Sequence, residues 1–327
     1  MGGVGRASAK LILFGEHAAV HGHPAIGVSL PEETTVLFSG GPGDAWGLQD
    51  VAAGDQDTVS AILELLEGQL PGLASRGRCR VRIESRVARR SGLGSSASLC
   101  SAFARAALEH LHGAAAARDN DRAWGIAHSL ERLFHGTPSG IDTGLSILGG
   151  TVWFQPRPPG LPLHQPLHGP PALLVAGALP RDEACAALVG SLGERMRAGE
   201  RLARQSIESL GTLAAEARAA LEAGSGIGGL ADRAMAHLRR LGLSSPALDL
   251  LLQAGRNAGA LGGKLSGAGG GGAFFLVAES QGSARAIADR LSREAARASL
   301  AFASPPRILT IGEVPLSPGP QPGAPRS

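Results

Sequence analysis

A glycine- and serine-rich segment in the first half of the chain opens directly into an apolar run. It reads RSGLGSSASLCSAFA over residues 90–104. Small residues let a backbone curl closely around an anion, and the N–H groups at the positive end of a following helix point into that curl. The pattern therefore predicts a phosphate-binding loop before a helix. The alternative interpretation is that Ser95 or Ser96 only caps the helix, since glycine and serine are also common at helix N-termini.

A second candidate centre contains two carboxylates, Glu131 and Asp142. Apolar residues recur at helical spacing from about Asp121, and the sequence HGTP at 135–138 ends the helix, so Glu131 falls on its last turn. A carboxylate at the negative end of a helix is unfavourable unless a cation lies there, and Mg²⁺ is the natural candidate. Asp142 taken alone is typical of a turn aspartate.

Neither of the common phosphate-binding fingerprints fits the glycine-serine loop. It lacks the spacing GxxxxGK[ST], and Ala97 stands where a dinucleotide-binding GxGxxG needs its last glycine. A later segment satisfies GxGxxG from Gly267 to Gly272, but the letters AFFLV that follow predict a strand and not a helix. A glycine run before a strand indicates close approach of the backbone to a ligand.

Four segments, in their order and separations, resemble the GHMP kinases, and among them most closely the mevalonate kinases. They are KLILFGEHAAVHGHPAIG at 10–27, the loop at 90–97, HGTPSGID at 135–142 and KLSGAGGGGAFFLV at 264–277. The chain departs from the family at two places. It has Ser8-Ala9 where Pro-Gly is usual, and Ala88 and Arg90 where Pro and Gly are usual.

The resemblance implies a role for each segment. Asp142 is the base toward the acceptor hydroxyl and Lys10 pairs with it, whereas Ser96 and Glu131 hold Mg²⁺. The acceptor-binding residues are His17, Glu16 and Ser139. The nucleotide-binding residues are Arg90, Ser91, Gly92, Leu93, Gly94, Ser95, Ser96, Ala97, Gly267, Ala268, Gly269 and Gly270.

The fold that the resemblance implies is α+β with two domains, ribosomal-protein-S5-like in the N-terminal half and ferredoxin-like in the C-terminal half. A Pro-rich stretch after residue 155 indicates a junction, so we expect domains at 1–155 and 156–316 and a disordered tail at 317–327. We predict a loop at residues 40–57, and we expect Asp57 or Thr58 to cap the helix that follows. We expect the side chains of Arg181 and Arg197 to be charged groups on the protein surface.

Composition excludes several other classes of protein. The 327 residues carry a net charge of +3, and aromatic residues are 3% of the chain, which argues against a nucleic-acid-binding platform. Three scattered cysteines fit neither a disulfide framework nor a metal knuckle, so a reducing cytoplasm is expected. No apolar run approaches the roughly 20 residues of a membrane span, and no signal peptide is expected. The sequence is compatible with a homodimer.

The function implied is ATP-dependent phosphorylation of the 5-hydroxyl of mevalonate to 5-phosphomevalonate, in isoprenoid precursor synthesis. ATP and Mg²⁺ are the cofactors and mevalonate is the small-molecule partner. Two alternatives remain: a kinase of this family with another acceptor, such as phosphomevalonate or a sugar, and a catalytically silent ligand sensor. Retention of Lys10, Glu131 and Asp142 together argues against the sensor, since a sensor needs no base.

Overall fold

The computed structural model describes residues 2–158, 160–181 and 184–312. Its strands are β1 (Gly3–Phe14), β2 (Ala25–Gly43), β3 (Gly47–Gln49), β4 (Arg78–Ser85), β5 (Thr151–Gln155), β6 (Leu163–Pro166), β7 (Ala172–Arg181), β8 (Gly262–Leu265), β9 (Gly271–Ala278) and β10 (Ser304–Ile311). Its helices are α1 (Gln56–Gln69), α2 (Ser95–His112), α3 (Ala114–Ala117), α4 (Asn120–Glu131), α5 (Ile141–Leu148), α6 (Ala184–Arg197), α7 (Arg201–Ala223), α8 (Gly228–Arg240), α9 (Pro246–Asn257) and α10 (Gln281–Arg297). The tail predicted to be disordered, 317–327, lies outside the described residues.

The strands form two sheets, one in each half of the chain. The first has the order β3-β4-β2-β5-β6, with β1 also paired to β2, and the second has the order β10-β7-β9-β8. In the second sheet β8 and β9 form an antiparallel hairpin, and α10 connects β9 to β10. This is the ferredoxin-like strand order, so the predicted α+β class is confirmed. None of the helices in the described ranges combines the length and apolarity that crossing a membrane requires.

Strand β1 separates two hydrophobic cores. Because successive side chains of a strand point to opposite faces, its residues divide between them. Leu11 and Leu13 pack in a core with β7, β9 and α7 to α10 of the second half. Ile12 packs in a core with α1, α2, α4 and α5 of the first half, and Ala7 joins the same core because a register shift between Ser8 and Ala9 reverses the alternation. The strand that carries Lys10 is therefore held from both sides.

Two local predictions are wrong. The residues predicted as a loop at 40–57 include the end of β2 and the short strand β3, which pairs in parallel with β4. Helix α1 begins earlier than expected: its N-cap is Asp55, and no side chain caps it. The physical reason is that the carboxylate of Asp55 binds the guanidinium of Arg89 instead.

The first sheet continues into the Pro-rich stretch. Strand β6 pairs antiparallel with β5, with Gln155 opposite Leu163, and so it lies beyond residue 155 while belonging to the sheet of the first half. The division into 1–155 and 156–316 stays a prediction.

Candidate active site

The centre of the site is an ion pair between β1 and the start of α5. Lys10 Nζ lies 2.8 Å from Asp142 Oδ2, and the two side chains are 4% and 34% exposed. Asp142 stands in the first turn of α5, after Gly140 with φ 79°. The backbone N–H of Lys10 donates to the carbonyl of Leu93 at 2.9 Å, which ties β1 to the glycine-serine loop. A buried ammonium therefore adjoins a carboxylate that a ligand can reach.

Glu131 is the last residue of α4 and is 1% exposed. Burial raises its pKa to about 8, and the charge of Asp142 acts in the same direction, whereas Lys10 and a hydrogen bond with Thr143 oppose it. Its Oε2 is buried, with no hydrogen-bond partner among the described residues. The carboxyl is thus poorly satisfied without a cation.

Glu131 also lies close to helix α2. The pKa of the Cys100 thiol is raised by burial and, to a smaller extent, by the charge of Glu131. Because Ser96 precedes Cys100 by one helical turn, it lies on the same face of α2. Mg²⁺ takes one or two protein oxygens plus substrate phosphates, so this donor set fits it. Among the described residues no cluster of three or more His, Cys, Asp or Glu could hold a metal.

The glycine-serine loop has the backbone of an anion-binding nest. Arg90, Gly92 and Gly94 have φ of 52°, 79° and 82°, and such alternation turns successive N–H groups toward one point. Helix α2 begins directly after Gly94 and has no side-chain cap, so its first N–H groups are available. Ser91 shapes the loop from within, since its Oγ donates to the Ala88 carbonyl at 2.6 Å. The side chains of Leu93 and Ala97 are buried.

A cavity of about 730 Å³ lies beside this loop. Its polar side includes Arg90, Ser95 and Ser96, and its apolar side includes Val59 and Leu99. Its size lies within the range typical of small-molecule sites, about 300–1,000 Å³. The ion pair between Asp55 and Arg89 joins two segments of its lining.

A second cavity, of about 230 Å³, contains the ion pair. Lys10 and Asp142 lie in its lining together with the predicted acceptor residues and one arginine: Glu16, His17, Ser139 and Arg181. Burial lowers the pKa of His17 to about 4, and a hydrogen bond with the Ala268 backbone opposes the shift. Imidazole at this position is therefore neutral at pH 7.

Three residues that were predicted to bind the nucleotide or the acceptor also contact other parts of the protein. Gly270 donates to the carbonyl of Leu243 at 2.8 Å, and a Cβ on Gly269 would lie 2.5 Å from the same carbonyl oxygen. These glycines pack against Leu243, whereas Gly267 and Ala268 line the smaller cavity. The carboxylate of Glu16 forms an ion pair with Lys264.

Two family models match the chain: the GHMP kinases N-terminal domain at residues 57–150 and the GHMP kinases C-terminal region at residues 189–297. Together they match more than half of the chain. The chain belongs to the GHMP kinases.

Individual relatives of this GHMP kinase are named mevalonate kinases. The protein of Methanothermobacter thermautotrophicus is 30% identical over 295 residues, 82% of this chain and 88% of the relative. That of Aeropyrum pernix is 30% identical over 291 residues, 82% of this chain and 86% of the relative. Among solved structures, L. major mevalonate kinase in complex with R-mevalonate has a TM-score of 0.75 at 25% identity, over 92% of this chain and 94% of that one.

The assignment of Arg181 as a surface charge is wrong, because its Nε and Nη2 atoms are buried. Arg181 is the last residue of β7, which lies between β10 and β9 in the second sheet. Its side chain reaches the glycine-serine loop and the glycine segment that begins at Gly267. An added Cβ on Gly92 or Gly267 would lie 2.7 or 2.8 Å from Arg181 Nη2. The glycines therefore leave the space that the guanidinium fills. The signal available in the sequence was an arginine at the end of a buried apolar strand.

Proposed function

We propose that this chain transfers the γ-phosphoryl group of ATP to the 5-hydroxyl of mevalonate. The observation that carries the proposal is the ion pair of Lys10 and Asp142, which lies in the smaller cavity next to the glycine-serine loop. Phosphoryl transfer needs a cradle for the phosphates and a group that orients or deprotonates the attacking hydroxyl. The likeness to mevalonate kinases supports mevalonate as the acceptor.

Each residue of the pair has one task in this proposal. Asp142 accepts the proton of the 5-hydroxyl while that oxygen bonds to the γ-phosphorus. The bond from the γ-phosphorus to the bridging oxygen breaks, and ADP leaves. Lys10 holds Asp142 in place and stabilises negative charge on the attacking oxygen.

The other end of mevalonate is a carboxylate, and the smaller cavity offers it a cation. Arg181 supplies a positive charge there, and neutral His17 and the hydroxyl of Ser139 supply hydrogen bonds. A carboxylate held at that wall leaves the 5-hydroxyl free to reach Asp142. This division of the cavity favours an acceptor with an acid at one end and an alcohol at the other.

ATP would occupy the larger cavity, with its phosphates along residues 90–97 and near Gly267 and Ala268. Ser96 and Glu131 would hold Mg²⁺, and the ion would neutralise negative charge on the phosphates during the transfer. Glu131 supplies an oxygen that has no partner among the described residues. The homodimer and the cytoplasmic location stay predictions.

The test is ADP release by the purified protein with Mg-ATP and each of five additions: mevalonate, phosphomevalonate, galactose, homoserine, or no acceptor. Release with mevalonate alone supports the proposal. Release with another acceptor identifies a different kinase of the family. ATP binding without release from any acceptor overturns the proposal in favour of a ligand sensor.

Two variants test the part of Asp142. Asp142→Asn should lower kcat by about 10²- to 10⁴-fold, the usual contribution of a general base, with ATP binding retained. Asp121→Asn is the matched control, because Asp121 is an exposed aspartate in the first turn of another helix, and it should retain full activity. Substantial turnover by Asp142→Asn would remove Asp142 as the base.

A further inference from the structure

A buried ion pair joins the two halves of the protein beside the acceptor cavity. Glu16 follows β1, Lys264 lies in β8, and their side chains are 2% and 0% exposed. Lys264 Nζ also donates to two backbone carbonyls, that of Leu13 at 3.1 Å and that of Leu265 at 2.7 Å. The ammonium thus binds main chain from both halves.

Aromatic rings enclose the same ammonium. The ring centres of Phe14 and Phe275 lie 5.7 and 5.4 Å from Lys264 Nζ, one ring from each half. A cation at this distance from an aromatic ring is attracted to the electrons of its face. Because Lys264 is completely buried, water does not compete with Glu16 for its ammonium, and the pair is held in one position.

The pair adjoins two segments that form the wall of the acceptor cavity. His17 follows Glu16 directly and has φ 59°, an uncommon conformation for a residue other than glycine. On the other side, Gly267 and Ala268 follow Lys264 closely in the chain and line the same cavity. Ser266, between them, accepts a hydrogen bond from the N–H of Ile12 at 3.0 Å.

We infer that Glu16 and Lys264 act as one positioning unit, which fixes His17 and the segment 267–268 as the acceptor wall of the phosphoryl-transfer site. In this inference Glu16 binds Lys264 and not the acceptor, which revises its assignment as a substrate-binding residue. The inference rests on the proposed function only for the identity of the acceptor. The pairing itself is a property of the fold.

Neutralising one partner or both separates this role from direct substrate binding. Removing one partner of a buried ion pair leaves an uncompensated charge, whereas replacing both with neutral groups of similar volume is often tolerated. The proteins compared are therefore the wild type, Glu16→Gln, Lys264→Met and the double variant. Glu216→Gln with Arg233→Met is the control, since that pair is exposed.

Each single variant should lower the Tm and raise the KM for mevalonate about tenfold, since a small displacement of a binding wall weakens binding. The KM for ATP should change less than about twofold. The double variant should recover most of both losses. If it keeps the KM of Glu16→Gln, then Glu16 contacts the acceptor and the inference is overturned. If Tm falls while every KM is unchanged, the pair is only structural and the inference is equally overturned.

The imidazole signal of His17 in NMR spectra gives a readout that does not need turnover. His17→Gln assigns the signal. It should shift in Lys264→Met and return in the double variant, and it should not shift in Arg233→Met. An unchanged signal in Lys264→Met overturns the positioning role even in an active enzyme. A wild type that shows no turnover with mevalonate but a coupled His17 signal overturns the proposed function alone.

Discussion

Arg90 has a backbone conformation that is unfavourable for any residue except glycine. Its φ is 52°, and the left-handed region costs an L-residue about 1–2 kcal/mol. Glycine adopts this conformation without that cost. Arg90 also lines the larger cavity, so its guanidinium is a candidate partner for phosphate that compensates for the backbone cost.

Two substitutions at Arg90 separate the backbone effect from the charge. Both Arg90→Gly and Arg90→Ala remove the guanidinium, so both should raise the KM for ATP several-fold, by about the free energy of one charge-assisted hydrogen bond. Arg90→Gly should be the more stable of the two by about 1 kcal/mol, because only glycine tolerates the positive φ. Denaturant unfolding and ATP titration measure the two effects. Equal stabilities would show that the loop relaxes around alanine.

The carboxyl of Glu131 should make the stability of the metal-free protein depend on pH. Its pKa in the folded state is about 8, against 4.5 for an unperturbed glutamate. Between these values the folded form holds a proton that the unfolded form has lost, so stability should fall as pH rises from 4.5 to about 8. The slope for a single group is at most about 1.4 kcal/mol per pH unit.

Glu131→Gln should flatten this profile, since glutamine does not titrate. The measurement is Tm against pH in EDTA, with Glu64→Gln as the control, because Glu64 is exposed on α1. Addition of Mg²⁺ and ATP at pH 8 should raise the Tm of the wild type more than that of Glu131→Gln. Parallel profiles for the wild type and Glu131→Gln would mean that the carboxyl is already ionised when folded.

At the scale of elements, the start of α2 depends on a glycine that leaves space for Lys10. Gly94 has φ 82°, and a Cβ there would lie 2.7 Å from Lys10 Cγ. Gly94→Ala should therefore displace Lys10 from Asp142 and lower kcat at least about tenfold. Gly242→Ala is the matched control: its φ is 77°, and an added Cβ would meet nothing within 4 Å.

Both glycine variants should lose stability, because both carry the positive-φ cost of about 1–2 kcal/mol. Only Gly94→Ala should lose activity as well. The comparison is of kcat at a temperature at which both proteins are folded. A normal kcat in Gly94→Ala would show that Lys10 adjusts without losing its contact with Asp142.

Most elements of this fold were predictable because their signals are local. The alternation of Cys79, Val81 and Ile83 predicts β4, and the helical recurrence from about Asp121 predicts α4, which ends at Glu131, before the recurrence ends at Phe134. Strand β3 has three residues and exists because it pairs with β4, so no local pattern indicates it. The cap of α1 was missed because the side chain of Asp55 prefers Arg89, a contact between distant residues.

The residues of the candidate site also divide into those that the sequence predicts and those that it does not. The loop at 90–97 and the pair of Lys10 and Asp142 followed from motifs that resemble a known family. Arg181 lies outside those motifs, and Lys264 lies in one of them without an assigned role, because the surroundings of both side chains depend on how the two sheets meet. Lys264 and Glu16 are separated by 248 positions in the chain, and no local sequence pattern at either position indicates that the two side chains pair.

At the scale of the whole molecule, β1 joins the two halves into one packed unit. Leu11 faces the core of the second half, while its neighbour Ile12 faces the core of the first. At the rim, Glu32 and Arg307 form an ion pair that also connects the halves. Because a strand of the first half completes the core of the second, we expect the halves to unfold together.

Leu11→Ala tests this cooperativity. Leu11 is completely buried, and such a substitution costs about 2–5 kcal/mol, which should lower the temperature of a single calorimetric transition. Val4→Ala is the control on the same strand, because Val4 is 41% exposed and its change should stay within about 0.5 kcal/mol. Two transitions, of which Leu11→Ala moves only one, would show that the halves unfold independently. One transition that moves as a whole would mean that mutations far from Asp142, on either side of β1, reduce the folded fraction of the entire kinase.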